Sequence, residues 1–142
     1  MKKKFLIIFL FFFTILDRIS KKFFLKNPDF YHSNFIQLEL KKNSGLYFFN
    51  LDQKILIPLS FFIILFLIIF LFKSWKKKNW FLFLSLLSIL LGGLSNLYDR
   101  LIFGYVIDWF WLFLFPPSVI NLADMMITAG IFLIAINYLL KI

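Results

Sequence analysis

Long apolar stretches alternate with short polar segments along the chain. Four apolar tracts stand out, at residues 5–25, 55–72, 80–97 and 117–140. A helix rises ~1.5 Å per residue, so each of the last three tracts could cross most of a ~30 Å hydrocarbon core. The pattern therefore predicts membrane-spanning helices, four of them if the interrupted first tract also crosses.

The first tract follows three lysines at residues 2–4 and looks at first like a secretory signal peptide. A cleavage site of small residues should follow such a run, but Asp17 and Arg18 stand there instead. Asp17 and Lys21 are spaced i,i+4 and can pair on one helix face, so the helix can continue past them. We predict an uncleaved first spanning helix.

Composition supports a membrane protein. Of the 142 residues, 62% are hydrophobic and 23% aromatic, more apolar surface than a soluble domain of this length could hide. The length allows one domain, residues 1–142. Cysteine is absent, which excludes disulfides and thiolate chemistry, and the one histidine, His32, lies in a polar stretch typical of a solvated surface.

The distribution of charge predicts the orientation. The net charge of +9 is better explained by lysines that meet anionic lipid headgroups than by nucleic acid binding. Bases are dense and acids absent at residues 2–4 and 73–78, which would lie on the side of both termini. We therefore expect cytoplasmic termini, with all seven acidic residues in the outer half.

The two outer loops carry different local patterns. In the first, alternation over 32–40, a turn at 43–45 and an apolar segment at 46–49 predict a small hairpin. In the second, residues 99–116, the aromatic side chains favour the headgroup level and predict a short interfacial helix. The predicted fold class is an all-α membrane protein of four transmembrane helices with a small extracytoplasmic β-hairpin or sheet.

One face of the third tract combines small and polar residues at helical spacing. Its members are Ser85, Ser88, Gly92, Asn96 and Asp99. Small residues let helices approach closely in lipid, so the first three predict a packing seam. Asn96 and Asp99, with Arg100 beside them, end the seam as a polar group and are candidates for a functional site.

Two aspartates stand in costly apolar surroundings. Asn121 and Asp124 share one face of the fourth tract, and Ser118 is a reasonable N-cap that would put Asp124 inside the helix. A carboxylate in a spanning segment costs about 2.5–3.5 kcal/mol, less near the boundary, and usually marks function, although water could simply wet it there. Asp108 lies in an apolar outer segment and could converge with Asp124.

Such a pair of carboxyl groups has a definite chemistry. Two that share one site cannot both ionise readily, so one keeps a proton. The ionised one can take a proton from water while the other hydrogen-bonds a carbonyl oxygen, as in aspartic proteases. A Ser-His-Asp triad would need the remote His32, and a zinc site lacks ligands, so we expect no metal.

Two other classes of function remain open on this reasoning. A small transporter or proton channel could use the same polar residues, but it would need a polar path through the bilayer, and the second tract offers only Ser60. A non-catalytic scaffold would not explain why polar residues gather at one depth.

Four sequence blocks, in order, resemble the lipoprotein signal peptidases (signal peptidase II) of bacteria. Residues 92–108 resemble the family's GGxxxNxxDRxxxGxVxD block, and 120–127 resemble its FNxADxxI block. Residues 17–21 resemble the D-x-x-S/T-K block at the end of helix one, and 43–48 the N-x-G-x-x-F block of the first outer loop.

The resemblance implies an aspartyl endopeptidase of the bacterial inner membrane, with its site near the outer face. Its substrate would be a prolipoprotein whose cysteine bears diacylglycerol, cleaved just before that cysteine. The catalytic pair would be Asp108 and Asp124. The implied substrate-binding residues are Asn43, Gly45, Asn96, Arg100 and Asn121, and the supporting residues Asp17, Lys21 and Asp99. We expect a monomer that meets membrane lipid, with no cofactor and no nucleic acid partner.

Overall fold

The computed structural model, which describes residues 2–33, 36–45, 52–112 and 118–140, consists of a helix bundle and one small sheet. Within these ranges the elements, in chain order, are α1 (Lys2–Lys26), β1 (Asp29–His32), β2 (Gln37–Asn43), α2 (Gln53–Lys76), α3 (Trp80–Phe103), β3 (Val106–Leu112), β4 (Ser118–Ile120) and α4 (Leu122–Leu140). The strands form one antiparallel sheet in the order β1-β2-β3-β4.

Helix α3 is the centre of the bundle, because α1, α2 and α4 all pack against it. The predicted small-residue seam lies where α4 approaches most closely. A Cβ atom on Gly92 would be 2.5 Å from the Ala123 carbonyl oxygen, and one on Gly130 would be 2.6 Å from that of Ser85. The Ser88 hydroxyl donates to the Met126 carbonyl oxygen at 2.8 Å. Close backbone approach therefore requires these small residues.

Three of the described helices, α2, α3 and α4, are long and apolar enough to cross a membrane. The 25 residues of α1 would also suffice in length, but its second half carries Asp17, Arg18 and Lys21. Large apolar side chains on α2, such as Phe62 and Phe66, are exposed, as expected of side chains that meet lipid.

The end of α3 and the element that follows it, β3, differ from the prediction. Helix α3 does not end near residue 97 but continues to Phe103, where Gly104 closes it in the left-handed conformation (φ 77°). Asp99 and Arg100 therefore lie in its last two turns rather than in a loop. The predicted interfacial helix is wrong: Val106–Leu112 is strand β3, which pairs on one side with β2 and on the other with β4.

The predicted hairpin is confirmed in kind but not in position. Its strands are Asp29–His32 and Gln37–Asn43, so the connection lies before residue 37 rather than at 43–45. Hydrogen bonds between Ser33 and Ile36 close it, with the Ile36 N–H donating to the Ser33 hydroxyl oxygen at 3.0 Å. The return strand predicted at 46–49 lies outside the described residues.

Candidate active site

Asp124 is held at the start of α4 by a reciprocal capping pair. Its backbone N–H donates to Asn121 Oδ1 at 2.8 Å, and the Asn121 N–H donates to Asp124 Oδ2 at 3.2 Å. The cap predicted at Ser118 is wrong, because pairing with Leu112 keeps Ser118 extended in β4. The helix therefore begins after Asn121, and Asp124 lies in its first turn.

Asp108 lies in the middle of the sheet, on β3, and its side chain is only 1% exposed. Its Oδ1 accepts a hydrogen bond from Asn121 Nδ2 at 2.6 Å, and its Oδ2 accepts one from Asn43 Nδ2 at 3.0 Å. Burial, and then the negative charge of Asp124, raise the pKa of Asp108 to about 7, although both amide donors oppose the shift. This carboxyl group can therefore hold a proton near neutral pH.

A second asparagine joins the two aspartates to the end of α3. Asn96 Nδ2 donates to Asp124 Oδ1 at 2.7 Å, while Asn96 Oδ1 accepts from Asn121 Nδ2 at 3.2 Å. Asn121 thus contacts Asp108 through its side chain and Asp124 through its backbone. The structure brings both aspartates and both asparagines into one hydrogen-bonded group.

A buried charged cluster lies behind this group. The side chains of Asp17, Lys21 and Asp99 are 0% exposed. The Lys21 ammonium contacts Asp17 Oδ2 at 3.1 Å and Asp99 Oδ2 at 2.8 Å, and it donates to Asn96 Oδ1 at 2.8 Å. The i,i+4 pairing of Asp17 with Lys21 is as the sequence predicted. This cluster connects α1 to α3 directly beneath the polar group.

The sequence did not predict two members of the cluster, Arg18 and Ser95. Arg18 Nη1 donates to Asp99 Oδ1 at 2.5 Å, and the Ser95 hydroxyl donates to Asp17 Oδ2 at 2.6 Å. Charge balance could have indicated Arg18, because a bundle that buries both Asp17 and Asp99 needs a second base besides Lys21. No spacing rule points to Ser95, which lies one residue away from the predicted polar face.

Asn43, Gly45 and Arg100 border the same group from the sheet side. The Gly45 N–H donates to Asn43 Oδ1 at 3.2 Å, so the Asn43 amide nitrogen is turned toward Asp108. Arg100 Nη2 reaches the Gly45 carbonyl oxygen at 3.5 Å, and its buried Nε has no hydrogen-bond partner. Arg100 therefore keeps donor capacity beside the two aspartates.

One set of described residues could approach a metal ion, and it lies apart from the aspartate pair. Ligand atoms of Asp29, His32 and Glu39, on strands β1 and β2, lie within 4.8 Å of one another. His32 is 47% exposed, and its Nε2 lies 3.7 Å from Glu39 Oε2, in keeping with the solvated surface predicted for it. The expectation that the reaction needs no metal remains a prediction.

The chain matches the family profile of signal peptidase (SPase) II, Peptidase_A8, over residues 8–140. The lipoprotein signal peptidase of Caldicellulosiruptor bescii is 35% identical over 127 residues, which cover 84% of this chain and 81% of that protein. The lipoprotein signal peptidase of Streptococcus agalactiae serotype Ia is 32% identical over 123 residues, covering 82% and 79% of the two chains.

Solved structures agree in fold. A bacterial membrane enzyme matches with a TM-score of 0.77 and 25% identity, covering 99% of this chain and 88% of its own. A second structure of the same description matches with a TM-score of 0.75 and 24% identity, covering 97% and 92%. The family profile spans nearly the whole chain, including every block singled out in the sequence, and the chain belongs to the signal peptidase II family.

Proposed function

We propose that this protein is an aspartic endopeptidase that removes signal peptides from diacylglyceryl-modified prolipoproteins, cleaving just before the lipidated cysteine. The observation that carries the proposal is the single residue Asn121, which binds Asp108 through its side chain and Asp124 through its backbone N–H. Two carboxyl groups joined in this way can divide one proton between them.

The reaction needs one carboxylate and one carboxylic acid. The carboxylate takes a proton from a water molecule, whose oxygen forms a bond to the scissile carbonyl carbon. The carboxylic acid hydrogen-bonds the carbonyl oxygen as negative charge develops on it. When the C–N bond breaks, the carboxyl group that took the proton from water passes it to the leaving amine, which becomes the amino group of the lipidated cysteine. Arg100, whose Nη2 makes only a 3.5 Å contact with the Gly45 carbonyl oxygen, can donate to peptide carbonyl oxygens of the substrate.

We propose that α1 is a fourth crossing, with both termini in the cytoplasm and the sheet on the outer face. The apolar first half of α1 and its lysines at residues 2–4 support this arrangement, as do the lysines of residues 73–78. In intact cells, Ser33→Cys should react with a membrane-impermeant thiol reagent, and Lys76→Cys should resist it. The reverse labelling would overturn the topology.

No feature of the described residues favours a transporter or a non-catalytic scaffold. On α2, the Ser60 hydroxyl is bonded to the Leu56 carbonyl oxygen of its own helix, so it offers no polar path. Among the described residues, the buried charged side chains are Asp17, Lys21, Asp99 and Asp108, which lie on β3 or in the cluster next to it.

A cleavage assay with matched substrates tests the function. The detergent-purified protein is incubated with a prolipoprotein carrying diacylglycerol on its cysteine, and separately with the same precursor without lipid. We expect the lipidated precursor alone to yield the shortened product by mass spectrometry, because a site at the membrane boundary can keep the acyl chains in the bilayer. Equal cleavage of both, or none of either, would refute the proposal.

A further inference from the structure

The ammonium group of Lys21 is buried and contacts three side-chain oxygen atoms. It donates a hydrogen bond to Asn96 Oδ1 at 2.8 Å and forms ion pairs with Asp17 Oδ2 at 3.1 Å and Asp99 Oδ2 at 2.8 Å. An ammonium group cannot accept a hydrogen bond. The Asn96 amide must therefore turn its oxygen toward Lys21 and its nitrogen away from it.

The orientation of the Asn96 amide determines which hydrogen-bond donors face Asp124. Asn96 Nδ2 donates to Asp124 Oδ1 at 2.7 Å, and the Asn121 N–H donates to Asp124 Oδ2 at 3.2 Å. Both carboxyl oxygens thus accept N–H donors, at the positive end of α4. With the Asn96 amide reversed, a carbonyl oxygen would face the carboxylate, so the contact with Lys21 favours a negative charge on Asp124.

Asp108 is held less firmly as an anion. Its two donors are side-chain amides, and Asn121 Nδ2 also lies 3.2 Å from Asn96 Oδ1 and 3.3 Å from the Ile107 carbonyl oxygen. That shared donor weakens its contribution to Asp108.

The same ammonium group also anchors the backbone before each aspartate. Asp17 Oδ1 accepts the N–H of Ala123, at 3.0 Å, and Asp99 Oδ2 accepts the N–H of Ile107, at 3.3 Å. Ala123 directly precedes Asp124, and Ile107 directly precedes Asp108. Lys21 thus joins two carboxylates, each of which holds the backbone N–H one residue before an aspartate of the pair.

Building on the proposed function, we infer that Lys21 is a positioning residue that makes Asp124 the ionised base and leaves the proton on Asp108. It acts through the Asn96 amide and through the two carboxylates that hold the preceding peptide groups. The other charged groups around the aspartates are Asp17 and Arg18 on α1, Asp99 and Arg100 on α3, and Lys41 of β2, whose exposed side chain stands opposite Asp108 in the sheet register.

The first test is Lys21→Met, assayed on the lipidated precursor across pH. We expect kcat to fall roughly 10²-fold while KM stays within about threefold, since small misplacement of catalytic groups costs rate. The acid limb of the pH–rate profile should move to higher pH, because the base loses its positive neighbour. Lys22→Met, an exposed lysine of the same helix, is the matched control and should leave kcat unchanged. Wild-type kcat and pH profile in Lys21→Met would overturn the inference.

A charge-balanced variant separates positioning from folding. Lys21→Met alone leaves an unpaired buried carboxylate, whereas Lys21→Met with Asp17→Asn restores neutrality. We expect the double variant to recover the melting temperature but keep the low kcat and the shifted acid limb. If the double variant recovers the wild-type rate and pH profile, Lys21 is only a counter-ion and the inference is overturned. If Lys21→Met alone does not fold, the double variant provides the test.

Infrared spectra provide a readout that does not depend on turnover. When both are measured at the same pH, the charge-balanced variant should absorb more strongly in the band of protonated carboxyl groups than Asp17→Asn alone. The reason is that Asp124 ionises less readily without Lys21. Equal absorption in the two would contradict the inference even if the enzyme acts on another substrate. Failure of the wild type to cleave the lipidated precursor would instead refute the proposed function, so the two failures are distinguishable.

Discussion

Two pairs of aspartates lie at the sheet end of the bundle, and they differ in the charge of their partners. Asp17 and Asp99 are both 0% exposed and share the ammonium group of Lys21. Asn96 separates Asp124 from that lysine, whereas Asn96 and Asn121 separate Asp108 from it. Neither aspartate has a salt bridge among the described residues. The first pair is neutralised, and the second is not.

The partners of the second pair are neutral amides, contributed by Asn43, Asn96 and Asn121. Amide donors hold a carboxyl group in place without fixing its charge, whereas a buried salt bridge keeps it ionised. A carboxyl group that must give and take protons needs the former. The comparison indicates that the pair held by a cation suits a structural role, whereas the pair held by amides suits the proton transfer that we propose.

Removing one carboxylate from the amide-held pair should have the largest effect. Asp108→Asn or Asp124→Asn should lower kcat/KM for the lipidated precursor about 10³–10⁴-fold, and the double variant should lose no more, because the pair acts as a unit. The amide is nearly isosteric and relieves like-charge repulsion, so thermal melting should be unchanged or higher. Near wild-type turnover in either purified variant would rule the pair out.

Removing one carboxylate from the salt-bridged pair should instead cost stability. Asp17→Asn or Asp99→Asn leaves the buried Lys21 ammonium undercompensated, which should lower the free energy of unfolding by about 3–5 kcal/mol. Denaturant unfolding in detergent measures it, with Asp29→Asn, an exposed aspartate on β1, as the control. A variant as stable as the control would show that the cluster is not structural.

The sequence could predict the tracts of α2, α3 and α4 and the seam between α3 and α4, because each depends on local periodicity. The convergence of Asp108 with Asp124 could also be expected, because a carboxylate without polar partners is energetically costly in the membrane. The family blocks then indicated the residues around them.

Long-range pairing explains most of what the sequence could not predict. The aromatic segment of β3 suits an interfacial helix as well as a strand, and its partner β2 lies more than 60 positions earlier. Only the sheet decides between these states. Similarly, Ser118 and Asn121 are comparable caps by residue type, and strand pairing of Ser118 gives the role to Asn121.

The raised pKa of Asp108 should make stability depend on pH in a direction opposite to that of a salt-bridged acid. Burial, with the charge of Asp124, raises this pKa from 3.8 to about 7, so the folded protein holds the proton more tightly than the unfolded chain. The stabilisation is fully present below about pH 4 and is lost as pH rises to about 7, a change on the order of a few kcal/mol.

Melting curves of wild type and Asp108→Asn between pH 4 and 8 measure this contribution, since the amide does not titrate. The melting temperature of the wild type should fall more steeply with rising pH than that of the variant. Parallel curves would show that Asp108 has an ordinary pKa in the folded protein.

The smallest effect is expected at the border between the two pairs, where Arg100 follows Asp99 on α3. Its Nη2 reaches the Gly45 carbonyl oxygen only at 3.5 Å, and we expect the guanidinium to donate to a substrate carbonyl instead. Arg100→Lys retains the charge but loses the planar fork, which should lower kcat/KM roughly 10–100-fold, the value of one or two hydrogen bonds to a charged group. Lys26→Arg, an exposed change that also conserves charge, is the control. If Arg100→Lys cleaves the lipidated precursor as fast as wild type, Arg100 supplies charge alone. Other donors near the aspartate pair must then bind the substrate carbonyl.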